Sequence, residues 1–151
     1  MLYLKIIYCF FLITIFNPKS GYSQKINTDL IKAKKLITEN KYEEAISLFQ
    51  KIYKKEKTSK IYKPYLECLK KKYEYEKAIK LVKTHYNRHG KNPSLLIDLG
   101  EIYMLKGEEK SGEKEFQKSI DEIKLNPRFS GTVASNFYSK KQYEFSLKAY
   151  L

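Results

Sequence analysis

A chain of 151 residues with 42% hydrophobic content can bury the core of one domain and is not a disordered polymer. Its formal charge of +13 invites an anionic partner, yet only Arg88 and Arg128 among the 30 basic residues are arginine. Dedicated phosphate readers favour the planar arginine fork, so the lysines read as a solvated surface and no specific nucleic acid is expected.

The N-terminus has the layout of a secretory signal peptide. Lys5 precedes an apolar run, IIYCFFLITIF, at residues 6–16, which Asn17 and Pro18 break. Gly21 and Ser23 place small residues around a cleavage point between Ser23 and Gln24. As a helix the run would span about 16 Å, against about 30 Å of bilayer hydrocarbon. Residues 1–23 are therefore expected to leave, with no stable membrane span afterwards. A bacterial periplasm or cell envelope, or secretion, is the expected destination. Cys9 would depart with the leader. Cys68 would remain alone and reads as a small buried apolar residue.

Beyond a polar joint at 24–28, Thr28 or Asp29 is placed to cap a helix running to about Glu39, with Leu30, Ala33, Leu36 and Ile37 at helical spacing. Asn40-Lys41 turns the chain into a helix from Tyr42 to about Lys55. Residues 54–60 read as a loop. Pro64, lacking an N–H, is expected in the first turn of the next helix or at a kink. That helix closes at Lys70–Lys72, and its partner begins at Tyr75 and ends at His89-Gly90. A third pair follows Asn92-Pro93, turns at Gly107, and continues from Glu109 to about Lys124. Asn126-Pro127 opens a fourth pair, whose second helix starts at Tyr143.

The second helices repeat one another. YEEAISLF at Tyr42–Phe49 returns as YEKAIKLV, EKSGEKEF and YEFSLKAY. The small residues Ala45, Ala78, Gly112 and Ser146 lie 33, 34 and 34 residues apart. A period near 34 marks a stacked helix–turn–helix array. With Leu99-Gly100 followed by Tyr103, and Phe49 and Phe116 each four residues after the small residue, the chain resembles the tetratricopeptide repeat family. Ala33, Gly100 and Ala134 stand at the small position of the first helices. No repeat carries the family's early Trp, and Leu66 and Val82 depart from its pattern in the second repeat.

The resemblance implies an all-α, right-handed superhelical solenoid over residues 24–151, with repeats at about 26–58, 59–92, 93–126 and 127–151. The last is expected to be incomplete, leaving Leu147, Tyr150 and Leu151 short of partners and open to self-association. The resemblance also implies a concave groove lined by the first helix of each repeat, where a protein or peptide partner lies. Its candidate contacts here are Lys34, Lys63, Glu67, Lys70, Ile97, Asp98, Glu101, Met104, Ser135 and Tyr138. Ala33, Ala45, Phe49, Ala78, Gly100, Tyr103, Gly112, Phe116 and Ala134 are packing positions.

Nothing in the residues calls for an enzyme or a cofactor. Gly107 and Gly112 have the spacing of a phosphate-binding loop, but Glu113-Lys114 follows where Lys and Ser or Thr are required. His85 and His89 share a helical face without a third ligand nearby in sequence, and two ligands seldom hold a metal. The expected function is a non-catalytic protein-interaction scaffold. Two alternatives stand beside it: a lysine-rich binder of an anionic polymer or membrane surface, and the N-terminal docking piece of a longer protein.

Overall fold

The computed structural model describes residues 18–151, with side chains from Gln24 onward. The expected leader run at 6–16 lies outside the described residues. Helices occupy Pro18–Thr38 (α1), Tyr42–Lys55 (α2), Ser59–Lys71 (α3), Tyr75–Arg88 (α4), Ser94–Leu105 (α5), Glu109–Leu125 (α6), Ser130–Ser139 (α7) and Tyr143–Tyr150 (α8). A short 3₁₀ turn at Pro127–Phe129 precedes α7. No strand occurs among the described residues. Each helix packs on the one before it, and contacts reach no farther than the neighbouring repeat. That is an all-α solenoid of stacked antiparallel pairs, similar to tetratricopeptide repeats.

Two expectations are corrected. The polar joint at 24–28 is helical, because Thr28 Oγ1 donates to the Gln24 carbonyl at 3.0 Å and spends its hydroxyl inside α1 instead of capping it. The second repeat opens at Ser59, so Pro64 sits inside α3 and not in its first turn. Neither polar composition nor a proline outweighed the apolar face these helices bury. Ile26 and Ala33 on α1 are buried, as are Ile61, Tyr62, Tyr65 and Leu66 around Pro64.

The turns inside the four pairs share one geometry. Asn40, Tyr73, Gly107 and Lys141 all have left-handed φ, between 57° and 85°. In each, the following amide closes a wide turn, as in Lys41 N–H to Leu36 O and Glu108 N–H to Tyr103 O, both 2.9 Å. This Schellman closure satisfies carbonyls that a helix end leaves orphaned. The second helix of each pair then starts with acids in its first turn: Glu43 and Glu44, Glu76, Glu109, Glu144. They complement the helix dipole.

The small residues let the paired helices touch. At Gly100 an added Cβ would lie 2.4 Å from the Phe116 ring and 2.9 Å from the Gly112 carbonyl oxygen. In the fourth pair Ser146 holds the small position, and its hydroxyl donates to the Ala134 carbonyl at 2.9 Å. Ala33, Ala45, Ala78, Gly100, Gly112 and Ala134 are buried, as are Phe49 and Phe116, while Tyr103 is half-buried. The apolar interior divides in two. One cluster runs from α1 to α5, and the other joins α5 to α8 around Phe116, Phe137 and Phe145. Tyr143, Leu147, Tyr150 and Leu151 are exposed.

Candidate functional site

The inward helices do not stack evenly. α1 packs on α3, and α5 on α7. Between α3 and α5 the link is made largely by polar side chains reaching across. Tyr62 Oη donates to Asp98 Oδ2 at 2.8 Å, and Lys70 Nζ donates to Glu101 Oε2 at 2.9 Å. Lys140, at the end of α7, reaches back to the same acids, 2.6 Å from Glu101 and 3.2 Å from Asp98. Lys70 also holds Glu67 at 2.8 Å. Beside this network opens a concave cleft of about 720 Å³, walled by α3, α5 and α7 and by the end of α4.

Lys140 is on this face because of a broken pattern on the opposite one. The equivalent lysines of the two preceding repeats, Lys72 and Lys106, reach back to Glu43 and Glu76 on the previous second helix, at 2.5 and 2.6 Å. The residue equivalent to those acids in the third repeat is Lys110. With a cation where its partner should be, Lys140 turns to the concave side and pairs with Asp98 and Glu101.

Burial is the first influence on each group of the network. It pushes the Asp98 carboxyl above its usual range, against the pull of Lys140 and the Tyr62 hydrogen bond. Burial also acts to raise Glu101, but hydrogen bonds and charge from Lys140 and Lys70 outweigh it and the net shift is downward. Lys70 would be lowered by burial, and its bonds to Glu67 and Glu101 leave it raised. Each carboxyl of the cluster is thus paired with a lysine inside the fold, which opposes the effect of burial. Lys140→Met should cost about 2 kcal/mol, below the 3–5 of a fully buried pair because these groups keep some solvent. Urea denaturation checks it; an unchanged midpoint would mean that the network is solvated.

An aromatic stack floors the cleft. The His85 ring lies parallel to Tyr62, centroids 4.0 Å apart, and His89 covers its other side at 4.0 Å. Tyr53 Oη and His85 Nδ1 are 2.8 Å apart. His89 Nε2 donates to the Lys57 carbonyl at 2.7 Å. Both histidines are thereby engaged in structural hydrogen bonds. Burial, with the nearby His89 charge, lowers His85 from its usual 6.5 to about 4. A depressed imidazole means that the unfolded chain takes up a proton the folded one refuses. Stability should therefore be flat above pH 6.5 and fall as pH drops toward 4, by roughly 3 kcal/mol in total. His85→Gln should flatten the thermal midpoint over that window. An unaltered slope would assign the acid response to other groups.

The expected groove residues are only partly gathered here. Lys63, Glu67 and Asp98 line the cleft, and Lys70 and Glu101 adjoin it as ion pairs. Lys34 is exposed on α1, away from the cleft lining. Tyr138 is exposed and sets its ring edge-on to Tyr143, with centroids 5.5 Å apart. Met104 is turned into the α5–α6 joint, its Cγ close against Gly112. Ile97 is fully buried in the second core, and Ser135 is exposed outside the cleft lining. Residues missed in sequence also line it: Tyr62, Ser94, Thr132, Asn136 and Lys140. Ser94 Oγ is buried with no partner among the described residues. Lys63 makes no ion pair among them, and the Asn136 amide no hydrogen bond.

No protein-family model matches the chain, and no curated protein matches its sequence. Solved structures do resemble it. A structure of the type III secretion translocator chaperone SycD of Yersinia enterocolitica matches 81% of this chain and 90% of its own, with TM-score 0.62 and 20% identity. An alternative dimer of SycD matches 80% and 95%, with TM-score 0.57 and 21% identity. MamA of Desulfovibrio magneticus RS-1 matches 83% and 71%, with TM-score 0.52 and 15% identity. At these identities the likeness is one of fold, and it places the chain among solenoids of tetratricopeptide-like helix pairs.

Proposed function

We propose that the protein is a non-catalytic interaction scaffold that holds an extended segment of a partner protein in the concave cleft between α3, α5 and α7. The carrying observation is the state of the cleft wall. Asp98, Glu101 and Glu67 are each held within the fold by an ion pair to Lys70 or Lys140. Lys63 and Asn136 are left open to a ligand's backbone and side chains, and Ser94 Oγ lies beneath the cleft without a partner among the described residues. A polar cleft with its own charges satisfied suits a peptide, whose amides need donors and acceptors. The similar fold of a translocator chaperone agrees with a protein partner. Cys68 is buried, and burial pushes its thiol up to about 11, which makes it a poor nucleophile. Export to a cell envelope, with cleavage between Ser23 and Gln24, belongs to the same proposal.

The test is selection of peptides from a displayed library, followed by affinity measurement on Lys63→Glu/Asn136→Arg. Both residues lie outside the ion network, so folding is untouched. Affinity should fall about tenfold or more, the scale of one or two lost interface contacts, with the thermal midpoint unchanged. Lys70 is unsuitable for such a test, because its replacement would strand Glu67 and Glu101. Peptides that bind the variant as well as the parent would overturn the cleft as the site.

A further inference from the structure

A second cleft opens on the opposite, outer side of the second repeat, between α2 and α4, with a volume of about 470 Å³. Lys54 and Lys57 stand on one side of it, and Lys77 and Lys80 on the other. Its floor is the buried rings of Tyr53 and Tyr65, and no acid lines it. Lys77 pairs with Glu74 at the margin. Lys54, Lys57 and Lys80 have no acidic partner among the described residues. Lys70, Lys72, Lys106, Lys140 and Lys148, by contrast, each pair with an acid. The positive excess of the chain is thus unbalanced here, in a concavity, where the field of several cations adds instead of spreading over a convex surface.

The lining chemistry restricts the ligand. An ammonium offers three donors and no acceptor, and the Gln50 amide and Tyr65 hydroxyl add further donors. A lysine binds a phosphate oxygen as a point charge, without arginine's two-pronged fork, so several lysines must converge on one anion to hold it. The two tyrosines are buried and show no open face on which a nucleic-acid base could stack. We infer that this cleft binds a small multivalent oxyanion of the oligophosphate class, held by Lys54, Lys57, Lys77 and Lys80 above the Tyr53–Tyr65 floor. The site lies behind the concave cleft, joined to it through the Tyr53–His85 and Lys57–His89 hydrogen bonds, and shares no lining residue with it.

Titration calorimetry of the full chain with inorganic tripolyphosphate, at fixed ionic strength, is the experiment. Saturable binding of one ligand per chain is expected. Lys54→Gln/Lys57→Gln/Lys80→Gln should weaken it about tenfold or more, the sum of three exposed charge contacts. Lys25→Gln/Lys32→Gln/Lys71→Gln makes the same change of net charge elsewhere and should leave it within about twofold. Circular dichroism checks that both variants are folded. In the parent protein, tripolyphosphate should also protect Lys54, Lys57 and Lys80 from acetylation, a result that needs no variant. Absence of saturable heat would overturn the proposal, as would equal weakening by both triple variants. A polyglutamate peptide or a single-stranded DNA oligomer that binds more tightly than tripolyphosphate and depends on the same three lysines would replace the small oxyanion with a macromolecule. Binding only to phosphatidylglycerol vesicles, with none to tripolyphosphate, would likewise overturn it in favour of a membrane surface.

Discussion

Phe116→Ala should lower stability by about 4 kcal/mol, within the range seen when a buried phenylalanine is truncated. The ring is almost wholly buried and meets Phe137 and Phe145 at centroid distances of 5.4 and 5.3 Å. Its loss leaves a cavity bounded by two rigid rings and the α5 backbone, which have little freedom to collapse inward. The interior is divided, and Phe116 belongs to the cluster joining α5 to α8. In an array whose repeats touch only their neighbours, the damage should be regional. Hydrogen exchange should show α6, α7 and α8 losing protection while α2 and α3 keep theirs. Uniform loss along the chain would mean that the two clusters fold as one unit.

Gly100→Val should cost about 3 kcal/mol, the upper part of the usual overpacking range. Here α5 and α6 meet backbone to backbone. A Cβ on Gly100 would be 2.9 Å from the Gly112 carbonyl oxygen, and a Cβ on Gly112 would be 2.9 Å from that of Gly100. Those oxygens cannot swing aside as a ring can, so the helices must separate. Gly100→Ala is milder, because alanine recovers about 1 kcal/mol of helix propensity. Its Cβ still meets the Gly112 carbonyl oxygen, and the rest of its penalty is contact with the Phe116 ring, which Phe116→Ala removes. The double variant should therefore be less destabilised than the sum of the two singles, by more than about 0.5 kcal/mol. Strict additivity would show that the backbone contact alone sets the cost.

The helix pairs were legible because one residue in each must be small and because that constraint recurs every 33 or 34 positions. The turns recur with the same spacing, at Asn40, Tyr73, Gly107 and Lys141, but only Asn40 and Gly107 advertise a left-handed φ in their residue type. The start of α3 was missed because Ser59 and Lys60 look like loop and Pro64 looks like a boundary, whereas burial of Ile61 and Tyr62 decides the matter. For the concave site, the groove pattern named Lys63, Glu67 and Asp98. It placed Met104 and Ile97 there as well, since a residue's angular position on a helix does not reveal how closely the next helix approaches. Lys140 was legible only in hindsight, from the series Lys72, Lys106, Lys140 and the charge reversal at Lys110. Tyr62 gave no signal, because a tyrosine at a core position does not announce where its hydroxyl goes.

The central claim is that a partner segment lies along the concave face. Its most direct test is amide chemical-shift mapping by NMR of the full chain with a peptide selected from the library. The account predicts the largest shifts at Lys63, Glu67, Ser94 and Asn136, on the three inward helices, with α2, α4 and α6 little affected outside the end of α4. Shifts concentrated on the outer faces of α2, α4 and α6, with the concave residues unmoved, would contradict it.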